Sequence, residues 1–185
     1  MSRYGIVVLL SMVACTQAWA ADEFDGLKCG GDIPKAMIGK QSPDERVEVT
    51  ERRHGNLGLK DIGGYEISDR LFLVSWRICG SEYAELVHTQ KKLVLDVLPV
   101  PAHSLRSPKS LMCQVDGNKL KGAVIAILVN SQGQKPKGYF DEIMLPARVA
   151  WKIDETHGRF APMPTKGLSC AFSGSSEDVH RSDSE

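Results

Sequence analysis

The clearest patterning in this chain begins at Leu71, where apolar side chains gather into runs of strand length. "LFLVSWRIC" (71–79) and "EYAELVH" (82–88) are rich in β-branched and aromatic residues and flank Gly80-Ser81. A glycine in the first position of a two-residue loop predicts a hairpin. By antiparallel counting this turn sets Trp76 opposite Glu85, Ile78 opposite Tyr83 and Val74 opposite Val87. "LVLDVLPV" (93–100) follows polar Thr89-Gln90-Lys91-Lys92 and extends the hairpin to a three-stranded meander. Pro99 and Pro101 end it, since neither donates a backbone hydrogen bond. Residues 102–110, "AHSLRSPKS", read as a loop.

The second half repeats the style without repeating the sequence. "LMCQV", the turn Asp116-Gly117 and "NKLKGAVIAILV" predict another hairpin, and the continuous apolar run 123–129 predicts a strand buried on both faces. "NSQGQKPKG" (130–138) is a polar loop. "ARVAWKID" (147–154) and "RFAPM" (159–163) flank the turn 155–158 and predict a third hairpin.

Ahead of the strands, "ADEFDGLK" is polar and expected to be loose. Asp32 is placed to cap a short helix over 33–38, with Pro34 in its first turn and Gly39 after it. Ser42-Pro43-Asp44-Glu45 fits a capping box, yet Val47 and Val49 alternate with polar residues as in a strand. Either way, 44–54 has little apolar face and belongs at an edge. The tail "SGSSEDVHRSDSE" carries one apolar residue, Val179, and is expected to be disordered. These elements predict a mainly β (α+β) fold: antiparallel hairpins in a small barrel or sandwich, with short helices near the N-terminus.

The amino terminus changes the picture of where this domain works. Arg3, the apolar run Ile6–Val13 and the small residues of Ala18-Trp19-Ala20 have the layout of a signal peptide, with cleavage expected before Ala21. The run is too short to cross a bilayer, which takes roughly 20 apolar residues. Met12-Val13-Ala14-Cys15 resembles a lipoprotein box, so a lipid anchor at Cys15 is the competing reading. Residues 21–172 then form a single globular domain followed by the tail 173–185. No transmembrane segment is expected in the mature chain.

Charge is balanced, with 23 Lys and Arg against 23 Asp and Glu. That argues against nucleic acid, whose binding requires many phosphate neutralisations. Once Cys15 leaves with the leader, Cys29, Cys79, Cys113 and Cys170 remain. An even set with no C-x-x-C pair points to two disulfides in an exported protein, periplasmic or secreted, rather than to a redox or zinc site. Of the three connectivities, Cys29 with Cys79 and Cys113 with Cys170 would clip each end segment to a strand.

Candidate chemistry is sparse. Trp76 and Tyr83 beside the carboxylate of Glu85 form a surface able to stack on a sugar ring or peptide and fix it with one hydrogen bond. The competing reading buries the aromatics as core. Asp154, Glu155 and His157 share one tight turn and are the candidate ligands for a metal ion, although turns favour Asp and Gly for backbone reasons. His103 and Ser104 are adjacent and point to opposite sides of an extended chain, so they cannot share a proton. Glu82, Glu85 and Asp96 are the candidate catalytic carboxylates, since a two-carboxylate hydrolase carries no local signature. No cofactor motif is present. Three functions follow: an exported binding module, inhibitor-like or envelope-associated, for a protein or carbohydrate partner; a small secreted hydrolase acting on cell-wall or sugar polymers; and a lipid-tethered structural protein of the envelope.

Overall fold

The computed structural model describes residues 21–104, 108–130 and 142–173. The leader with Cys15, all but Asn130 of the 130–138 loop, the centre of the 102–110 loop and the tail beyond Ser173 lie outside the described residues. The described chain is mainly antiparallel β, in two sheets. β1 (Lys60–Ser68), β2 (Leu71–Ile78), β3 (Ser81–His88) and β4 (Leu93–Pro99) form a meander in chain order. The second sheet contains β5 (Lys109–Ser110), β6 (Cys113–Val115), β7 (Asn118–Lys119), β8 (Val124–Leu128), β9 (Glu142–Asp154), β10 (Arg159–Met163) and β11 (Leu168–Ser173). Its order is β5-β8-β9-β11-β6-β7. β9 is long enough to pair with β11 along residues 142–146 and with β10 along 150–154. Among the described residues, no helix is long and apolar enough to cross a membrane.

The first sheet is apolar on both faces and is covered twice. On one side Leu71, Leu73, Ala84, Leu86 and Leu98 pack against Ile125, Ile127 and Ile153 of the second sheet. On the other, Trp76, Ile78, Val87, Val94 and Val97 pack beneath Phe24, Leu27, Ile33, Met37, Leu57 and Leu59 of the N-terminal segment. The alternate residues of β8, Val124, Ala126 and Leu128, meet Leu145, Leu168 and Cys170 in a third cluster. The second sheet therefore coils over its own far face, where Ser110 Oγ donates to the Ala171 carbonyl at 2.7 Å, without closing into a barrel. All five residues of β8 are buried, as its unbroken apolar run predicts.

α1 (Ile33–Met37) begins at Asp32, whose carboxylate accepts from Lys35 N, with Pro34 in the first turn. α2 (Val47–Arg53) resolves the conflict between helix and strand in favour of helix. Within the helix Thr50 is the buried position, followed by His54 at the C-cap, while Val47 is exposed. The decisive face was polar, so the alternating valines misdirected the strand reading. The helix begins after Arg46, and Glu45 accepts from Thr50 Oγ1 rather than completing a box with Ser42.

The β2–β3 turn is Cys79-Gly80, not Gly80-Ser81. Both residues have positive φ, 52° and 80°, as a type I′ turn requires. Moving the turn by one residue moves every pairing by two, so Trp76 faces Tyr83 and Val74 faces Glu85. Because side chains alternate with period two, the residues expected on one face remain together. Asp116-Gly117 does form a turn, but between β6 and β7; β8 pairs with β5 and β9 instead. β1 was not anticipated, its glycine-rich stretch being only half buried. A Cβ at Gly64 would lie 2.4 Å from the Leu73 carbonyl oxygen, so this close approach demands glycine.

The disulfides are Cys29–Cys79 and Cys113–Cys170, separated by 50 and 57 residues. The second joins directly paired residues of β6 and β11. Loops of that length correspond to about 4 kcal/mol of chain entropy each. Replacing Cys113 and Cys170 together by Ala should lower stability by about 2–4 kcal/mol, read as an earlier midpoint in urea denaturation.

Candidate functional site

The N-terminal segment is docked rather than loose. Glu23 N donates to the Gln41 carbonyl, Gly39 N to that of Val94, and Ser42 N to that of Lys92. These bonds run the segment along the edge of β4, and Cys29–Cys79 ties it to the β2–β3 turn. Asp22 Oδ1 accepts from Phe24 N at 2.9 Å and Asp25 N at 3.2 Å, closing a tight local turn. This turn lies over the sheet face where Glu23 and Phe24 are buried. Phe24 meets the Trp76 ring edge-on at 5.1 Å between centroids and lies 5.4 Å from the His54 ring.

Beneath this turn Trp76 Nε1 donates to Glu85 Oε1 at 2.7 Å. The bond runs diagonally across the ladder, two pairs along from the Trp76–Tyr83 pairing. Glu85 and Glu23 are both fully buried. Glu85 Oε2 and both carboxylate oxygens of Glu23 meet no hydrogen-bond partner. Burial, then the neighbouring charge of Glu85, pushes Glu23 up to about 9. Burial raises Glu85 to about 7, against the lowering effect of the Trp76 hydrogen bond.

At the rim, Arg53 pairs with Asp22 and, at 3.0 Å, with Glu45. His54 Nε2 lies 3.2 Å from Asp22 Oδ2 and 3.2 Å from Arg53 Nε. Asp22, Asp25 and His54 have ligand atoms within 4.8 Å of one another. The guanidinium already occupies the Asp22 carboxylate, so the group is an ion-pair network and is not assigned as a metal site.

The structure places the expected residues as follows. Trp76, Tyr83 and Glu85 share one face, but that face packs beneath the N-terminal segment. Glu82 and Glu85, three apart on β3, point to opposite sides of the sheet. Glu82 is bound by Lys109 and by His103 Nε2 at 3.2 Å. Asp96 Oδ1 accepts from Val97 N at 2.9 Å, and Oδ2 from Phe160 N at 2.8 Å, fastening β10 to β4. Asp96 is level with Leu86, about 13 Å along the strand from Glu82. No two of the three carboxylates are brought together.

In the turn after β9, His157 Nδ1 lies 2.8 Å from Asp154 Oδ2, and Arg159 Nε 3.5 Å from the same oxygen. Arg159, rather than Glu155, is the third member of that group. Its cause is local turn closure, with His157 N donating to Asp154 Oδ1. Sequence reasoning missed Asp22, Glu23, His54, Arg53 and Lys109. The signal for the first two was a lone aromatic, Phe24, among acids and just before a disulfide cysteine.

No protein-family model, curated protein or solved structure matches this chain.

His103 Nδ1 lies 3.1 Å from the Pro101 carbonyl while Nε2 faces Glu82, so both ring nitrogens face acceptors. The Glu82 hydrogen bond raises His103 above its ordinary value, with burial opposing. Burial pushes Glu82 up, but the hydrogen bonds and charges of His103 and Lys109 outweigh it and hold the carboxyl below its ordinary value. The histidine contribution is complete below its unfolded value and fades as pH rises through the raised folded value. The Glu82 contribution fades as pH falls through its lowered one. Glu82→Gln should therefore cost most, about 2 kcal/mol, at about pH 5–6 and less at about pH 8, measured by urea denaturation across pH. Trp76→Phe keeps the ring contact with Phe24 but leaves Glu85 Oε1 without its donor, and should cost about 1–3 kcal/mol in the same measurement.

Proposed function

We propose that this chain is an exported, disulfide-stabilised binding module, inhibitor-like or envelope-associated, that holds a protein or carbohydrate partner. The observation that carries this reading is the separation of Glu82, Glu85 and Asp96, each engaged in its own structural contact. A two-carboxylate hydrolase needs its pair roughly 5–10 Å apart across a substrate, and these three residues supply no such pair. Two disulfides joining distant segments fit a compartment where thiols oxidise. Glu82 also holds His103 and Lys109, the described ends of the 102–110 segment, against the first sheet. A segment fastened at both ends to a rigid sheet is a favourable place to present contacts to a partner.

Glu82→Gln, Glu85→Gln and Asp96→Asn, made together, separate this reading from the hydrolase. In crosslinking from the exported fraction and in assays for release of soluble sugars from cell-wall polymers, the expected result is a partner captured by the wild type and no product from either protein. Product released by the wild type and abolished by the three amides would overturn it.

A further inference from the structure

Glu23 and Glu85 are two fully buried carboxyls beside the apolar cluster that holds Phe24 and Trp76, and three of their four oxygens meet no hydrogen-bond donor at bonding distance. The backbone at Glu23 and the Ser42 side chain lower Glu23 in part, but burial and the charge of Glu85 outweigh them. From the N-terminal segment Asp22 adds a like charge, and Asp25 lies at the exposed rim. From α2, Arg53 is taken by Asp22 and Glu45, and His54 rests against Asp22. From β2 comes only the Trp76 N–H, bonded to the fourth oxygen. Two ionised carboxylates would repel each other here without water or a cation, so the docked arrangement requires bound protons.

The segment over this pair lies wholly ahead of the Cys29–Cys79 bridge. Its start, Asp22 to Lys28, is held by the Asp22 ion pairs, the Glu23–Gln41 backbone bond and the insertion of Phe24. At Cys29 it is covalently tied to Cys79. We propose that residues 22–28 form a proton-held flap over the Trp76–Tyr83 face: docked while the Glu23–Glu85 pair carries protons, and lifted about the Cys29–Cys79 bridge when both ionise. Lifting withdraws Phe24 from the indole and opens a surface of two aromatic residues and one carboxylate, the composition suited to stacking on a sugar ring or peptide. The flap does not depend on what the module binds.

The direction with pH follows from linkage. Both acids are raised when docked, so docking is strongest below the ordinary glutamate value, weakens progressively above it, and has lost this contribution once pH passes through the docked values of about 7 and about 9. Each proton released changes the open population by up to about tenfold per pH unit between the ordinary and the docked values.

The test is hydrogen exchange of the oxidised protein between pH 5 and 9.5, corrected for intrinsic rates, with β3 amides as the internal control. The expected result is a loss of protection at residues 22–28 of about tenfold or more from pH 6 to 9, largely abolished in Glu23→Gln/Glu85→Gln. Flat protection in the wild type, the same pH dependence in the double variant, or release by EDTA at constant pH would each overturn the proposal, the last in favour of a bound cation. Should the double variant not fold, carboxyl NMR of the wild type decides: a pair fully ionised below pH 5.5 refutes the flap, and titration above pH 6.5 upholds it.

Discussion

A four-stranded sheet with apolar residues on both faces has to lie between two other layers, and the architecture follows from that constraint. β2 shows it most plainly: Leu71 and Leu73 point toward the second sheet, whereas Trp76 and Ile78 point toward the N-terminal segment. Neither cover is self-sufficient. The N-terminal layer is two short helices and a strip of extended chain, too little to form a core alone, and the second sheet includes two-residue and three-residue strands. Each disulfide acts where a cover is thin. Cys29–Cys79 fastens the strip to the central sheet, and Cys113–Cys170 fastens short β6 to β11.

β3 carries two glutamates, and its two faces treat them in opposite ways. Glu82 sits near the end of the strand, where Lys109 and His103 supply positive charge and hold it ionised. Glu85 lies at the centre of the other face under the N-terminal segment, with an indole N–H and no cation, and is driven toward its neutral form. Glu23 meets it there from the covering layer. A carboxyl in an apolar setting avoids the large cost of a bare charge by keeping its proton. The same residue type thus pins a loop on one side of the strand and makes a contact sensitive to protonation on the other.

The same alternation bears on function. Offsets of odd number along β3 put Glu82 and Glu85 back to back, and the distance along the ladder separates Glu82 from Asp96. These carboxylates hold elements together: Asp96 joins β10 to β4, and Glu82 joins the 102–110 segment to β3. Gly158 belongs to the same docking, since a Cβ there would lie 2.6 Å from Leu95. A frame braced in this way supports the reading of a module that holds a partner.

Local rules were enough to determine much of this protein. Apolar runs marked β2, β3, β4 and β8; Asp32 and Pro34 marked α1; the four cysteines with no C-x-x-C pair marked two bridges. These signals depend on neighbours a few residues away, or on thiol chemistry. The face shared by Trp76, Tyr83 and Glu85 was also legible, because an error of two in pairing leaves strand parity intact. What only the tertiary structure decided was which layer covers each face. "ADEFDGLK" has the composition of a solvated terminus, and nothing local says that Glu23 and Phe24 insert over a carboxylate some sixty residues away. Nor does α2 show in its valines, because its inward positions are Thr50 and His54. Burial of polar side chains depends on partners distant in the chain, and the pattern of hydrophobic positions carries no record of them.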